Sequence, residues 1–389
     1  MRVGLFTDTY PPQINGVASS VYLLKRHLEL QGHEVFVCTT TDPEEDRLNE
    51  DNVYRTYSLP FVSKRRVGSF YSARLAMLAK EHKPDIIHTH TEFPLGIFGR
   101  RLAHEMNIPH VHTYHTIYED YTHFIVKLGF MDTAAKAVMR YMSKTFCNSA
   151  NAVVVPTKKV ESLLRTYEVD RPIHVVPSGI DLSKFQGKTY KAEEIEACRI
   201  EVGLKPGSFV LLSIGRVSEE KRIDDLLLGL APTLKRHPDW VFLVVGDGPD
   251  LESYKYLSEQ LGISDKVIFA GARPWSEIGK YYQLGDVFLS ASKSETQGLT
   301  YIEAMASSVP VIAQNDPCLE GVVEDGVNGF LFNSPREMTQ ILESLSTHPD
   351  LIEDLRRGAL AGVEHFSADN FASRIAEVYE DFVPLAQDI

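Results

Sequence analysis

Short runs of β-branched and aromatic residues alternate along this chain with longer stretches in which apolar positions recur every three or four residues. That alternation predicts parallel strands covered by helices, since each parallel pair needs a long crossover that returns the chain to the same edge. In the first half the strand signals are Val3-Gly4-Leu5-Phe6-Thr7, Val35-Phe36-Val37-Cys38-Thr39, Asp85-Ile86-Ile87-His88, His110-Val111-His112-Thr113 and Ala152-Val153-Val154-Val155. A helical pattern from Val17 to Gln31 stops at Gly32, a residue suited to a left-handed helix end. The pattern restarts at Phe209-Val210-Leu211-Leu212-Ser213 and continues through Val241–Val245, Val267–Phe269, Val287–Leu289 and Pro310–Ile312.

Between the two sets lies a segment rich in turn residues and charge, which places a domain joint near Ser178–Lys188. The length of 389 residues also favours two domains over one core. The predicted architecture is therefore α/β: two Rossmann-like, doubly wound parallel-sheet domains, residues 1–180 and 181–389, with the last helix expected to return toward the first. Domains joined in this way are expected to face a central cleft, because ligands of open parallel sheets bind beyond the C-terminal strand ends.

Composition narrows the class. Hydrophobic residues make up 43% and charged residues 24%, as in ordinary globular proteins. The four cysteines, Cys38, Cys147, Cys198 and Cys318, stand far apart and read as buried thiols of a reducing compartment. MRVGLFTDTY turns polar too soon for a secretory signal, and no stretch approaches the length of a membrane span, so a cytoplasmic location is expected. The net charge of −13 argues against nucleic acid as the partner. The charge is unevenly shared: residues 1–178 carry 21 Lys+Arg against 19 Asp+Glu, the remainder 19 against 34. Only the first half is thus free to approach an anionic surface.

Candidate chemistry concentrates after predicted strands. The first βα turn, Asp8 to Val17, lacks G-x-G-x-x-G, which removes the usual support for a nicotinamide dinucleotide. Gly16 still lets a backbone N–H approach a phosphate at a helix start, although Asn15-Gly16 also suits a plain turn. In the second half, Gly215-Arg216 ends a strand and Lys221 follows within one loop; two such cations can neutralise a diphosphate leaving group. The segment Ser294 to Ala306 follows another strand. It places Glu295 in a loop and Glu303 in the next helix, with the amides of Gly298, Leu299 and Thr300 at that helix's N-terminus, where phosphate oxygens are attracted. His88-x-His90 and His110-x-His112 each set two imidazoles on one strand face, but no Cys/Asp set completes a metal site.

Glu295-x7-Glu303, Gly215-Arg216 with Lys221, Gly32-His33-Glu34-Val35 and Asn15-Gly16 together resemble the retaining GT-B glycosyltransferases, the family that includes sucrose, glycogen and lipid glycosyl transferases. The resemblance runs through nearly the whole chain. It implies that Arg216 and Lys221 hold a nucleotide diphosphate, Glu303 the ribose and Glu295 the donor sugar. It further implies that the Gly16 amide meets the phosphate from across the cleft and that His115 contacts the sugar near the reacting centre, so that His115, Glu295, Arg216 and Lys221 carry the catalysis. Ser308 stands where the family usually has Gly.

Three segments, Thr113 to His123, Thr89 to Gly96 and Ser294 to Thr300, are similar to those of bacterial diacylglycerol glucosyltransferases. This narrower resemblance implies retaining transfer of glucose from UDP-glucose to the 3-hydroxyl of 1,2-diacylglycerol. The product so implied is α-monoglucosyldiacylglycerol, an anchor lipid of lipoteichoic acid, and the resemblance implies a peripheral enzyme at the inner membrane surface. No cofactor is implied beyond the donor, and whether magnesium accompanies the diphosphate is left open. Lys136, Arg140 and Lys144 recur at helical spacing, and Lys64-Arg65-Arg66 sits between apolar residues; both fit an anionic membrane surface, at roughly 1 kcal/mol per cation. Rival readings are transfer to glucosyl-diacylglycerol or a soluble acceptor, a nucleotide-sugar epimerase on the same fold, and a non-catalytic sugar-nucleotide regulator.

Overall fold

A computed structural model describes residues 1–13, 15–43, 50–60, 66–117 and 129–383. The chain divides into two compact units, one of residues 1–180 together with the segment from Phe366 onward, the other Asp181–His365.

The first unit holds a seven-stranded sheet built from β1 (Arg2–Phe6), β2 (Glu34–Thr40), β3 (Val53–Thr56), β6 (Ile86–Thr89), β7 (His110–Thr113), β8 (Ala152–Val155) and β9 (Ile173–Val175). Its order is β3-β2-β1-β6-β7-β8-β9, and every neighbouring pair is parallel. A separate antiparallel pair joins β4 (Leu59–Pro60) and β5 (Arg66–Val67). The helices are α1 (Gly16–Leu30), α2 (Ala73–Glu81), α3 (Pro94–Met106), α4 (Gly129–Asn148) and α5 (Lys158–Thr166). The central strands are buried along their whole length, as expected of a parallel sheet covered on both faces.

The second unit repeats the plan with β10 (Phe209–Ile214), β11 (Trp240–Val245), β12 (Val267–Gly271), β13 (Val287–Ser290), β14 (Val311–Gln314) and β15 (Gly329–Phe332). The order is β12-β11-β10-β13-β14-β15, again parallel throughout. Its helices are α6 (Ala192–Glu201), α7 (Ile223–Arg236), α8 (Leu251–Gln260), α9 (Ile278–Tyr282), α10 (Leu299–Ala306), α11 (Pro335–Thr347) and α12 (Pro349–Gly362). The strand order reverses between β10 and β13, so the connections leaving these strands diverge and open a crevice at their C-terminal ends.

The last helix, α13 (Ala368–Glu380), belongs to the first unit. Phe371, Ala372, Ile375, Val378 and Tyr379 enter the same core as Val21, Leu24 and Leu28 of α1 and Val3 and Leu5 of β1. Gly179 lets the chain pass close to this helix: an added Cβ there would lie 2.6 Å from the Ala368 backbone.

Candidate active site

In the second unit the chain leaves β10 through Gly215, at φ +151°, a backbone state that L side chains rarely adopt. Arg216 follows and is exposed. A 3-10 turn at Glu219–Lys221 then leads into α7. On the other side of the crevice, β13 ends at Ser290 and a loop runs to α10. The hydroxyls of Ser292 and Ser294 donate to the Glu220 carbonyl at 3.3 and 3.4 Å, which ties the two loops together. Across this tie the Lys221 ammonium donates to Glu295 Oε1. Gly215, Arg216, Lys221, Ser290, Glu295 and Thr300 line one pocket.

Helix α10 starts from Gly298, at φ +75°, where a Cβ would come within 2.3 Å of the Tyr301 ring. No carboxylate stands in its first turn, and the positive end of the helix dipole favours an anion there. Glu303 lies further along the same helix, outside the pocket lining. Its Oε2 accepts a hydrogen bond from the Tyr282 hydroxyl at 2.6 Å. Burial pushes the Glu303 carboxyl up to about 7, against the opposing pull of that hydrogen bond. Two cations, a carboxylate and a helix end thus converge at the switch point of the sheet, a set able to draw off an oxyanion while holding hydroxyl groups.

Gly16 and His115 belong to the first unit. Gly16 opens α1 after Asn15, whose side chain accepts from the Ala18 N–H at 2.9 Å and donates to Thr9 Oγ1 at 2.7 Å. Asn15 is therefore a helix cap, a more specific device than the plain turn its pairing with Gly also suits. His115 follows β7, and its Nε2 pairs with His90 Nδ1 at 3.0 Å. Burial and the charge of His112 push His115 down to about 3. His88 spends both nitrogens, one with the Tyr379 hydroxyl and one with Thr113 Oγ1, each at 2.6 Å. His112 faces Glu92 at 3.3 Å. Both nitrogens of His88 are thus taken by neighbours, and among the described residues no group of three His, Cys, Asp or Glu is placed to hold a metal ion. Asp8 is also buried. It accepts from Thr91 Oγ1 at 2.6 Å and from the Leu95 N–H at the start of α3, and burial raises it to about 6.

Of the basic residues assigned to a surface, Lys64 and Arg65 lie outside the described residues, as does the stretch 118–128. Arg66 donates to the Ser58 hydroxyl and carbonyl at 2.8 and 2.9 Å. On α4, Lys136 is half-buried, Arg140 stands 5.7 Å from the Tyr167 ring and Lys144 pairs with Glu168. The same unit exposes Tyr57, Leu59, Phe70, Tyr71 and Met77, and Val138 and Tyr141 on α4. Among the described residues no helix is long and apolar enough to cross a membrane.

Tyr282, which touches Glu303, gave no motif in the sequence and is recognisable only once burial is known, because a buried hydroxyl needs a partner.

Two Rossmann-like parallel sheets, with this cation and carboxylate set at one switch point, define a GT-B glycosyltransferase. Residues 14–184 match the model of Glycosyltransferase Family 4, and residues 194–360 that of Glycosyl transferases group 1. The chain is 41% identical to the alpha-monoglucosyldiacylglycerol synthase of Streptococcus pneumoniae, covering 98% of this chain and 86% of that protein. It is 34% identical to the synthase of the same name from Acholeplasma laidlawii, over 98% of both. The chain belongs to this glycosyltransferase family and is a hexosyltransferase. Among solved structures, Anabaena HepE in complex with UDP-glucose shares the fold at a TM-score of 0.75 and 19% identity, over 98% of this chain and 100% of that one. Sucrose-phosphate synthase from Thermosynechococcus elongatus does so at 0.75 and 20%, over 98% of both.

Proposed function

We propose that the protein transfers glucose from UDP-glucose to the 3-hydroxyl of 1,2-diacylglycerol with retention, giving α-monoglucosyldiacylglycerol at the inner face of the membrane. The pairing of Lys221 with Glu295 at the β10/β13 switch point carries the reading, together with the likeness to two synthases named for that product. Residues 181–365 bind the nucleotide sugar, and the first unit binds the acceptor and faces the membrane. A diphosphate entering the pocket competes with Glu295 for Lys221 and gains the Arg216 guanidinium and the amides of Gly298, Leu299 and Thr300. Displaced from the ammonium, Glu295 turns its acceptor oxygens to the sugar hydroxyls. Charge that develops on the leaving diphosphate is stabilised by groups already in place. The departing phosphate oxygen takes the proton of the acceptor hydroxyl, so no protein base is required. Glu303 accepts from the ribose, the Gly16 amide meets a phosphate, and His115, held neutral by its buried surroundings, serves the sugar as a hydrogen-bond partner.

The exposed Phe70, Tyr71, Met77, Val138 and Tyr141 supply apolar contact with a lipid surface, and the cations of α4 and of residues 64–66 supply attraction to anionic headgroups.

The test is to incubate the purified protein with a panel of labelled nucleotide sugars and diacylglycerol in mixed micelles, then identify the product by mass and by the anomeric coupling of its sugar. One α-linked hexose on diacylglycerol, formed from UDP-glucose, is the expected result. Donor turnover without acceptor, a β-linked product, or reaction only with glucosyl-diacylglycerol or a soluble sugar overturns it.

A further inference from the structure

We propose that Tyr282 is a positioning residue for donor recognition, acting through Glu303 to fix how the nucleotide ribose is read. The inference rests on the ribose role given to Glu303 and deepens it. Tyr282 is fully buried, yet its hydroxyl reaches the Glu303 carboxylate at 2.6 Å. Its ring is held edge-on by Phe185, with centroids 5.7 Å apart, and at a tilt by Phe288 at 6.0 Å. The phenol therefore has little freedom to turn away from the carboxylate.

The short helix that carries it is fixed as well. Gln283, the next residue, donates to the Phe185 carbonyl at 2.9 Å and to the carbonyl of Ser307, at the C-terminus of α10, at 3.4 Å. At Gly279 an added Cβ would lie 2.2 Å from the Lys184 carbonyl, so α9 sits directly against that backbone. Two hydrogen bonds thus join the end of α9 to α10, one at Glu303 and one a turn later.

The consequence is geometric. With Oε2 committed to Tyr282, the carboxylate plane is set, and Oε1 takes no hydrogen bond from the described residues. A hydrogen bond to an ionised acceptor is stronger than one between neutral groups, and it favours the charged form over the protonated one. A carboxylate held in one plane accepts a ribose hydroxyl at one place, which is how a site distinguishes a nucleotide from its deoxy analogue. A freely rotating or protonated carboxyl loses that discrimination.

The experiment measures kcat and KM for UDP-glucose and for its 2′-deoxy and 3′-deoxy ribose analogues, in the wild type, Tyr282→Phe, Glu303→Gln and the double variant. Tyr282→Phe is expected to raise the UDP-glucose KM roughly tenfold, the loss of about one charge-assisted hydrogen bond, and to shrink the preference over one deoxy analogue, with kcat changed by less than about threefold. The double variant should be no worse than Glu303→Gln, because Tyr282 acts only through that carboxylate. Additive losses in the double variant, or a Tyr282→Phe enzyme that keeps full ribose discrimination while Glu303→Gln loses it, overturn the positioning role. If Glu303→Gln itself keeps the preference for ribose, the assignment of Glu303 fails instead. A thermal unfolding curve for Tyr282→Phe that matches the wild type excludes a fold defect as the source; if that variant unfolds early, Glu303→Gln with Tyr282 intact still reads the ribose assignment, and Tyr282→His gives the positioning role a second trial.

Discussion

Ser308 lies one residue beyond the cap of α10 with φ +60°, a left-handed state in which a Cβ is penalised. Its N–H bonds the Met305 carbonyl and the Val309 N–H bonds the Ala304 carbonyl, each at 2.9 Å, the paired closure that ends many helices. The departure from the family's glycine is thus a backbone matter that leaves the chemistry of α10 untouched. Ser308→Gly is expected to stabilise the protein by roughly 1 kcal/mol, read as a shift in denaturant midpoint at unchanged slope. Lys221→Ala is expected to lower kcat by about 10²–10³, since it removes charge that meets the leaving group and strands Glu295 without its ammonium; steady-state kinetics at saturating donor decide it. Glu303 sets a pH dependence. Its carboxyl titrates near 7 in the folded protein against an ordinary 4.5, so the free site holds its proton more tightly than an exposed group does. Because the ionised form accepts ribose hydroxyls more strongly, the UDP-glucose KM should rise as pH falls through about 7, and Glu303→Gln should abolish that rise.

The elements were readable from the sequence where burial is complete. β7 and β8 occupy the residues that the apolar runs mark, and α1 is shifted by one residue from the helical pattern, since Asn15 takes the cap and leaves Gly16 as the first helical residue. Besides the short β4–β5 pair, the strands that the pattern does not reveal, β3, β9 and β15, are outer members of their sheets. With one side unpaired, an edge strand need not be uniformly apolar: β9 reads Ile-His-Val and is only half-buried. In the site, motif spacing pointed to Arg216, Lys221 and Glu295, but Tyr282 makes its contribution through a hydrogen bond that no local spacing encodes. Helix α4 shows the opposite limit. Its basic periodicity is real, yet Arg140 and Lys144 find Tyr167 and Glu168 nearby, partners that only the fold supplies. At this scale the decisive element is α13, whose Ile375 is fully buried among α1 and β1 side chains. Ile375→Ala is expected to cost about 2–5 kcal/mol, measured by urea unfolding, despite its distance in sequence from the rest of that core.

For the molecule as a whole, the charge contrast between the halves has a measurable side. If the first unit meets lipid, sedimentation with vesicles should rise with their anionic content and fall with added salt, as screening weakens the cations. Phe70→Ser together with Met77→Ser should weaken binding at every salt concentration, because burial of those side chains does not depend on charge. Binding that ignores both lipid charge and these substitutions would place the contact elsewhere.

The return of α13 also sets an order of events. Residues 181–365 interrupt the first unit, so a ribosome must deliver the entire second unit before the segment that closes the first can leave the tunnel. At about 5–20 residues per second that delay is on the order of ten seconds or more, during which Val21, Leu24 and Leu28 lack their partners from α13. Chains ended after His365 and released should therefore hold a protease-resistant later half behind a cleavable earlier one, and such unfinished chains are where a chaperone would be drawn.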